Sequence, residues 1–139
     1  MPFQSKFLIK YFQIDMEIEL ELMQVPLSIA KVTEYQDLLK QVEGARFVSI
    51  TKSDEEISLV VDSDKMPEYK FVSAGWRAMR IIGPLEFSLV GVLQKILEPL
   101  AQNRISVFTI STFDTDYLLI RQEQLQKAVE LLSGSFKVS

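Results

Sequence analysis

Cysteine and histidine are both missing from this 139-residue chain. Without cysteine there is no disulfide framework, no thiolate metal site and no thiol nucleophile. Without histidine the chain lacks the side chain that most often acts as a general base near neutral pH, and the commonest zinc ligand. Positive charge is also scarce. Against 19 Asp and Glu there are 15 Lys and Arg, a net charge of −4, with no basic stripe to track a phosphate backbone. No run approaches the ~20 apolar residues that span a bilayer. Neither nucleic acid nor membrane is an expected partner, and no catalytic centre, metal site or cofactor is expected.

What is present is ordinary for a globular chain: 47% hydrophobic and 24% charged residues. A chain of this length buries roughly 68% of its unfolded surface and needs no staples. It suits one compact domain or two small ones sharing a core. The opening "MPFQSKFLIKYFQID" has no long apolar core and no small-residue cleavage site. Residues 1–16 read as an extension ahead of the domain, Met16 as an alternative start, and the cytoplasm as the expected compartment.

From Glu17, "EIELELMQVPLSIAKV" alternates in the period-two manner of a half-buried strand, with Pro26 marking a bend or an edge. In "TEYQDLLKQVEG" Thr33 and Gln36 have capping-box spacing. Tyr35, Leu38, Leu39 and Val42 then make one helical face, which Gly44 ends. "RFVSITKSDEEISLVV" reads as a hairpin. After the polar stretch "DSDKMPEYKFVSAG" comes a strand, "WRAMRII", then the loop "GPLEF" and a helix N-capped by Ser88. Its face carries Leu89, Leu93, Ile96, Leu97 and Leu100, and Pro99 should kink or shorten its last turn. A second hairpin, "ISVFTIS" to "DYLLIR", precedes a helix bearing Leu125, Ala128, Val129 and Leu132, stopped by Gly134. "SFKVS" suits a last short strand.

Shifted by 60 residues, the hairpins superpose Ile50 on Ile110, Asp54 on Asp114, Glu56 on Asp116 and Leu59 on Leu119. This suggests a duplicated strand–helix–strand–strand unit. Such units, completed by a helix and a strand, make an α+β ferredoxin-like βαββαβ sandwich. The terminal helix and "SFKV" are the spare elements that one copy borrows, unless a partner chain supplies the missing edge.

"GWRAMRIIGPLEFSLVGVL", "ISVFTISTFDTDYLLIRQEQL" and "RFVSITKSDEEISLVV" resemble the bacterial proteins with two tandem ACT domains, a subgroup similar to the cytosolic arginine sensors of animal cells. The likeness runs from about residue 17 to 134 and is strongest over 75–121. It implies two ACT-like subdomains, at 17–74 and 75–139. It also implies a regulatory module without catalytic activity, which binds a small molecule such as an amino acid where paired domains meet, in a homodimer.

An amino acid presents a carboxylate beside an ammonium, so its receptor needs donors next to an acceptor. The first amides of the helix opening near Leu89 have no partner within the helix and attract carboxylate. Gly83 and Gly91 allow close backbone approach, and Asp116 is the candidate acceptor for the ammonium. The resemblance places the ligand at this loop and at the start of the following hairpin. The expected set is therefore Gly83, Leu85, Phe87, Ser88, Leu89, Val90, Ser111, Thr112, Phe113 and Asp116.

Plainer readings stand beside these. Asp114 suits an ordinary Asx-turn, and Asp116 could equally solvate the hairpin. Ser88 is a natural helix cap, Gly91 a packing residue, Phe113 an interface aromatic. An acid pair at 114 and 116 lacks the shared desolvated pocket that catalysis would need, and the turn offers too few oxygens for a hard cation. RNA binding would want stacked aromatics and a basic rim. The alternative to a ligand sensor is an interaction or dimerisation module with a degenerate site. The first repeat illustrates it, because "KSDEE" has no counterpart of Phe113 and no "GPLEF" before its helix.

Overall fold

Alternation becomes paired strands and the apolar stripes become helices through most of the computed structural model, which describes residues 18–83 and 89–139. In chain order the elements are β1 (Glu19–Leu22), β2 (Leu27–Lys31), α1 (Leu38–Gln41), β3 (Val48–Lys52), β4 (Ile57–Asp62) and β5 (Phe71–Ile82). They continue with α2 (Leu89–Gln102), β6 (Val107–Ser111), β7 (Asp116–Arg121), α3 (Leu125–Leu132) and β8 (Lys137–Val138). The chain forms two compact units: Met23–Ala78, and the stretch ending at Leu22 together with Met79–Ser139. The fold is α+β, with the ferredoxin-like arrangement present in duplicate. The expected cap at Ser88 falls outside the described residues.

In the Met23–Ala78 unit the strand order is β3-β4-β2-β5, with β5 contributing its first half. Every pair is antiparallel. Val32, Leu38, Val42, Leu59 and Val61 form its core. The first copy thus takes its fourth strand from β5. Where a second helix would stand there is a 3-10 turn, Ser63–Lys65, with Met66 and Tyr69 packed against the core.

Two expectations change here. The Thr33–Gln36 capping box does not open α1. The helix starts after Asp37, which is left-handed at φ 58 and makes no side-chain cap bond. Four residues cannot carry a long apolar face, so Leu38 and Val42 are buried while Tyr35 and Leu39 project into solvent. The strand expected over "WRAMRII" begins earlier, at Phe71. Gly75, at φ 81, lies where the pairing of β2 with β5 shifts register. That left-handed conformation favours glycine, and the irregularity hides the strand from any period-two pattern.

Asp62 holds this unit together locally. Its carboxylate is buried and accepts from the Arg46 amide at 2.8 Å and the Phe47 amide at 2.9 Å. Asp62→Ala would strand both donors, and urea unfolding should show a loss of about 1–3 kcal/mol. Asp64→Ala, on an exposed neighbour, should leave the midpoint unchanged.

In the second unit the order is β6-β7-β5-β1-β8, with β5 contributing its second half. β1 lies between β5 and β8, antiparallel to the first and parallel to the second. Leu20, Met79, Ile81, Leu118 and Ile120 on the strands meet Val92, Ile96 and Leu100 on α2 and Ala128 and Leu132 on α3. The terminal helix and last strand both belong to this unit. α2 continues through Pro99 to Gln102, and the Asn103 side-chain amide donates to the Pro99 carbonyl at 2.8 Å.

Candidate functional site

The β6–β7 turn is braced by its own threonines. The Thr112 amide donates to the Thr115 carbonyl at 2.8 Å, and the Thr112 hydroxyl donates to the same oxygen at 3.0 Å. Thr115 N–H donates back to Thr112 Oγ1 at 3.2 Å. The Thr115 hydroxyl reaches the Ile81 carbonyl at 2.6 Å. The start of β7 is thereby tied to the end of β5, the point where the chain leaves for α2. Sequence reasoning passed over Thr115. Its signal was the Thr-x-x-Thr spacing across "TFDT", which places two hydroxyls to close a tight turn.

Asp116 follows directly and is 3% exposed. Side chains alternate along a strand, so Asp116 shares a face with Leu118 and Ile120, which pack beneath α2. Ser111 stands opposite Asp116 in the ladder and donates its hydroxyl to the Asp116 carboxylate. The structure therefore joins two of the expected residues in one polar pair on the helix-facing side of the sheet. Asp114, at the turn, points to solvent.

The internal comparison needs one correction. Ile50 stands opposite Leu59, and Thr109 opposite Leu118, so the hairpins superpose at a shift of 59 residues. The tight turns agree, since Ser53 donates to Glu56 as Thr112 does to Thr115. At that shift Ile57, not Glu56, corresponds to Asp116, and Lys52 to Ser111. Glu56 is exposed. One residue of slip exchanges the two faces of a strand, so the apparent acid–acid match vanishes. Only the second hairpin carries a buried carboxylate at this position.

Phe113 is fully exposed at the turn and Gly83 is exposed at the end of β5. Leu85, Phe87 and Ser88 lie outside the described residues; Leu89 and Val90 enter as the first backbone positions of α2. Cavities among the described residues stand elsewhere. One, of ≈310 Å³, is lined by Lys95, Glu98, Pro99, Gln102, Ser135 and Phe136. Another, of ≈650 Å³, lies over Thr33–Asp37 and Gln41. Neither includes an expected site residue. Beside the second, burial and then the Glu34 carboxylate push the Tyr69 phenol above its ordinary range, and its hydroxyl donates to the Glu34 carbonyl at 3.3 Å. Among the described residues no acidic cluster is arranged to hold a metal ion.

A buried carboxylate paired with a hydroxyl can accept hydrogen bonds from a cationic group. Comparison with known proteins bears on the family and the fold. Residues 72–134 match the family model described as "ACT domain". The cytosolic arginine sensor for mTORC1 subunit 1 of Bos taurus is 25% identical over 104 residues, covering 67% of this chain and 32% of the sensor. This chain thus spans about a third of that sensor's length. A crystal structure of an Agobacterium tumefaciens protein is 32% identical, with TM-score 0.79, covering 88% of this chain and 92% of that one. The regulatory subunit of aspartate kinase from Thermus thermophilus shares the fold at TM-score 0.61 and 11% identity, over 85% and 97% of the two chains. The duplicated fold, the matched segment and these relatives agree, and the chain belongs to the ACT-domain family.

Proposed function

We propose that this protein is a non-catalytic, cytoplasmic regulator that binds an amino acid at the mouth of α2 and works as a homodimer. The observation that carries this reading is the buried Asp116 carboxylate, paired with Ser111 on the helix-facing side of the sheet. A carboxylate taken out of water is costly unless something compensates it, and an ammonium is a fitting guest. Gly83, Leu85, Phe87, Ser88, Leu89 and Val90 would surround the ligand's carboxylate, and Ser111, Thr112, Phe113 and Asp116 its amino end. The exposed Phe113 is left for a second chain to cover. The name of the cattle relative, an arginine sensor, supports an amino-acid ligand.

Thermal unfolding against the twenty amino acids at millimolar concentration tests this. At about 100 times its dissociation constant, a ligand specific for the folded state adds about 2.7 kcal/mol. One or a few amino acids should raise Tm by several degrees. A flat response to all twenty would sink the ligand reading and favour a dimerisation module with a degenerate site.

A further inference from the structure

The two hairpin turns close in the same way. In the β3–β4 turn the Ser53 amide donates to the Glu56 carbonyl at 2.9 Å and the Ser53 hydroxyl to the same oxygen at 3.4 Å. The Glu56 amide donates back to Ser53 Oγ at 3.2 Å. Thr112 and Thr115 exchange the same three bonds in the β6–β7 turn. The hydroxyl of Thr115 takes no part in them. At its place in the first hairpin stands the exposed Glu56, whose carboxylate accepts but does not donate. A donor that the turn does not need, and that its counterpart does not supply, serves something other than the turn. It reaches the Ile81 carbonyl, 34 positions back in the chain, at 2.6 Å.

We infer that Thr115 is a positioning residue for the ligand site. Its hydroxyl fixes where the Asp116 carboxylate stands relative to the end of β5, and so sets ligand affinity without touching the ligand. This rests on the ligand reading above. Three differences separate the second hairpin from the first at this end: Ser111 for Lys52, Asp116 for Ile57 and Thr115 for Glu56. Ser111 and Asp116 make the polar pair. Thr115 comes directly before Asp116, and Gly83 comes two residues after Ile81. One bond therefore spans the two sides from which an amino acid would be held. A β-branched side chain is already stiff at χ1, so the bond costs little rotamer freedom. A site braced in this way does not have to be ordered when its ligand arrives. A bond that only stabilised the fold would raise the melting point and leave the response to amino acids alone.

Thr115→Val keeps the shape of the side chain and removes the donor. Each variant of the full chain is melted alone and with the twenty amino acids together at millimolar concentration, so that a rise in Tm reports binding to the folded state. Thr115→Val should at least halve the rise seen in the wild type. Thr115→Ser restores the hydroxyl and should recover it. Ser53→Ala breaks the matching bonds of the first hairpin; it should lower the starting Tm and leave the rise intact. Amide exchange without amino acids gives the second reading. Protection over residues 79–83 and 112–118 should fall in Thr115→Val and return in Thr115→Ser. Should Thr115→Val fail to fold by circular dichroism, Thr115→Ala takes its place. A wild type with no rise sinks the ligand reading, and exchange alone then decides whether Thr115 fixes Asp116. A full rise in Thr115→Val, no recovery in Thr115→Ser, an equal loss in Ser53→Ala, or unchanged protection in Thr115→Val would overturn the proposal.

Discussion

Ile96→Ala should lower the unfolding free energy by about 2–5 kcal/mol, the range for removing a buried aliphatic side chain and leaving a cavity. Ile96 has no exposed surface and sits among Leu20, Met79, Ile81, Leu118 and Ala128. Its neighbours belong to three strands and another helix, so no single element can collapse into the space. Urea unfolding should show the midpoint falling with an unchanged slope, and Tm should drop by on the order of 10 °C. Leu39→Ala supplies the contrast. Both residues lie on apolar stripes in the sequence, but Leu39 is 74% exposed, and its replacement should fall within about 0.5 kcal/mol of the wild type. An equal cost at both positions would contradict the placement of the core.

Asp116→Asn should weaken binding of whichever amino acid responds by roughly 10- to 150-fold, corresponding to about 1.5–3 kcal/mol for a charge-assisted hydrogen bond. The amide keeps the volume of the carboxylate and can still accept from Ser111 through its carbonyl. Basal stability should therefore change little while ligand affinity falls. Isothermal titration with the responding amino acid, beside a melt without ligand, separates the two effects. Asp114→Asn, on the exposed turn residue two positions earlier, should leave both readings as they are. Unchanged affinity in Asp116→Asn would remove Asp116 from the ligand site and return it to a structural role with Ser111.

The hairpins and the two longer helices were legible because each rests on a local pattern. Short apolar runs beside a polar turn mark β4 and β7, and stripes three and four apart mark α2 and α3. The first helix misled because Thr33 and Gln36 have the spacing of a cap, whereas the left-handed turn at Asp37 starts the helix later. Asp116 was legible as a candidate by residue type and turn position. Its burial was not, because a carboxylate at a hairpin start is usually solvated. The 60-residue match failed by one step for a related reason. Similar residue types aligned Glu56 with Asp116, but hydrogen bonding across each turn, absent from residue type, sets which side chain faces inward.

By itself the sequence determined the element types, the repeat, the likeness to ACT domains, and the lack of the side chains that most metal and thiol chemistry requires. These follow from composition and from contacts a few residues apart. Tertiary structure alone decided that β1 pairs with β5 and β8, that β5 serves both units, that Asp116 meets Ser111 beneath the helix layer, and that Val48 and Ile50 stay partly exposed. Each is a choice of partner among strands that look alike locally. Such choices are made by burial and backbone pairing between residues far apart in the chain, for which periodicity carries no address.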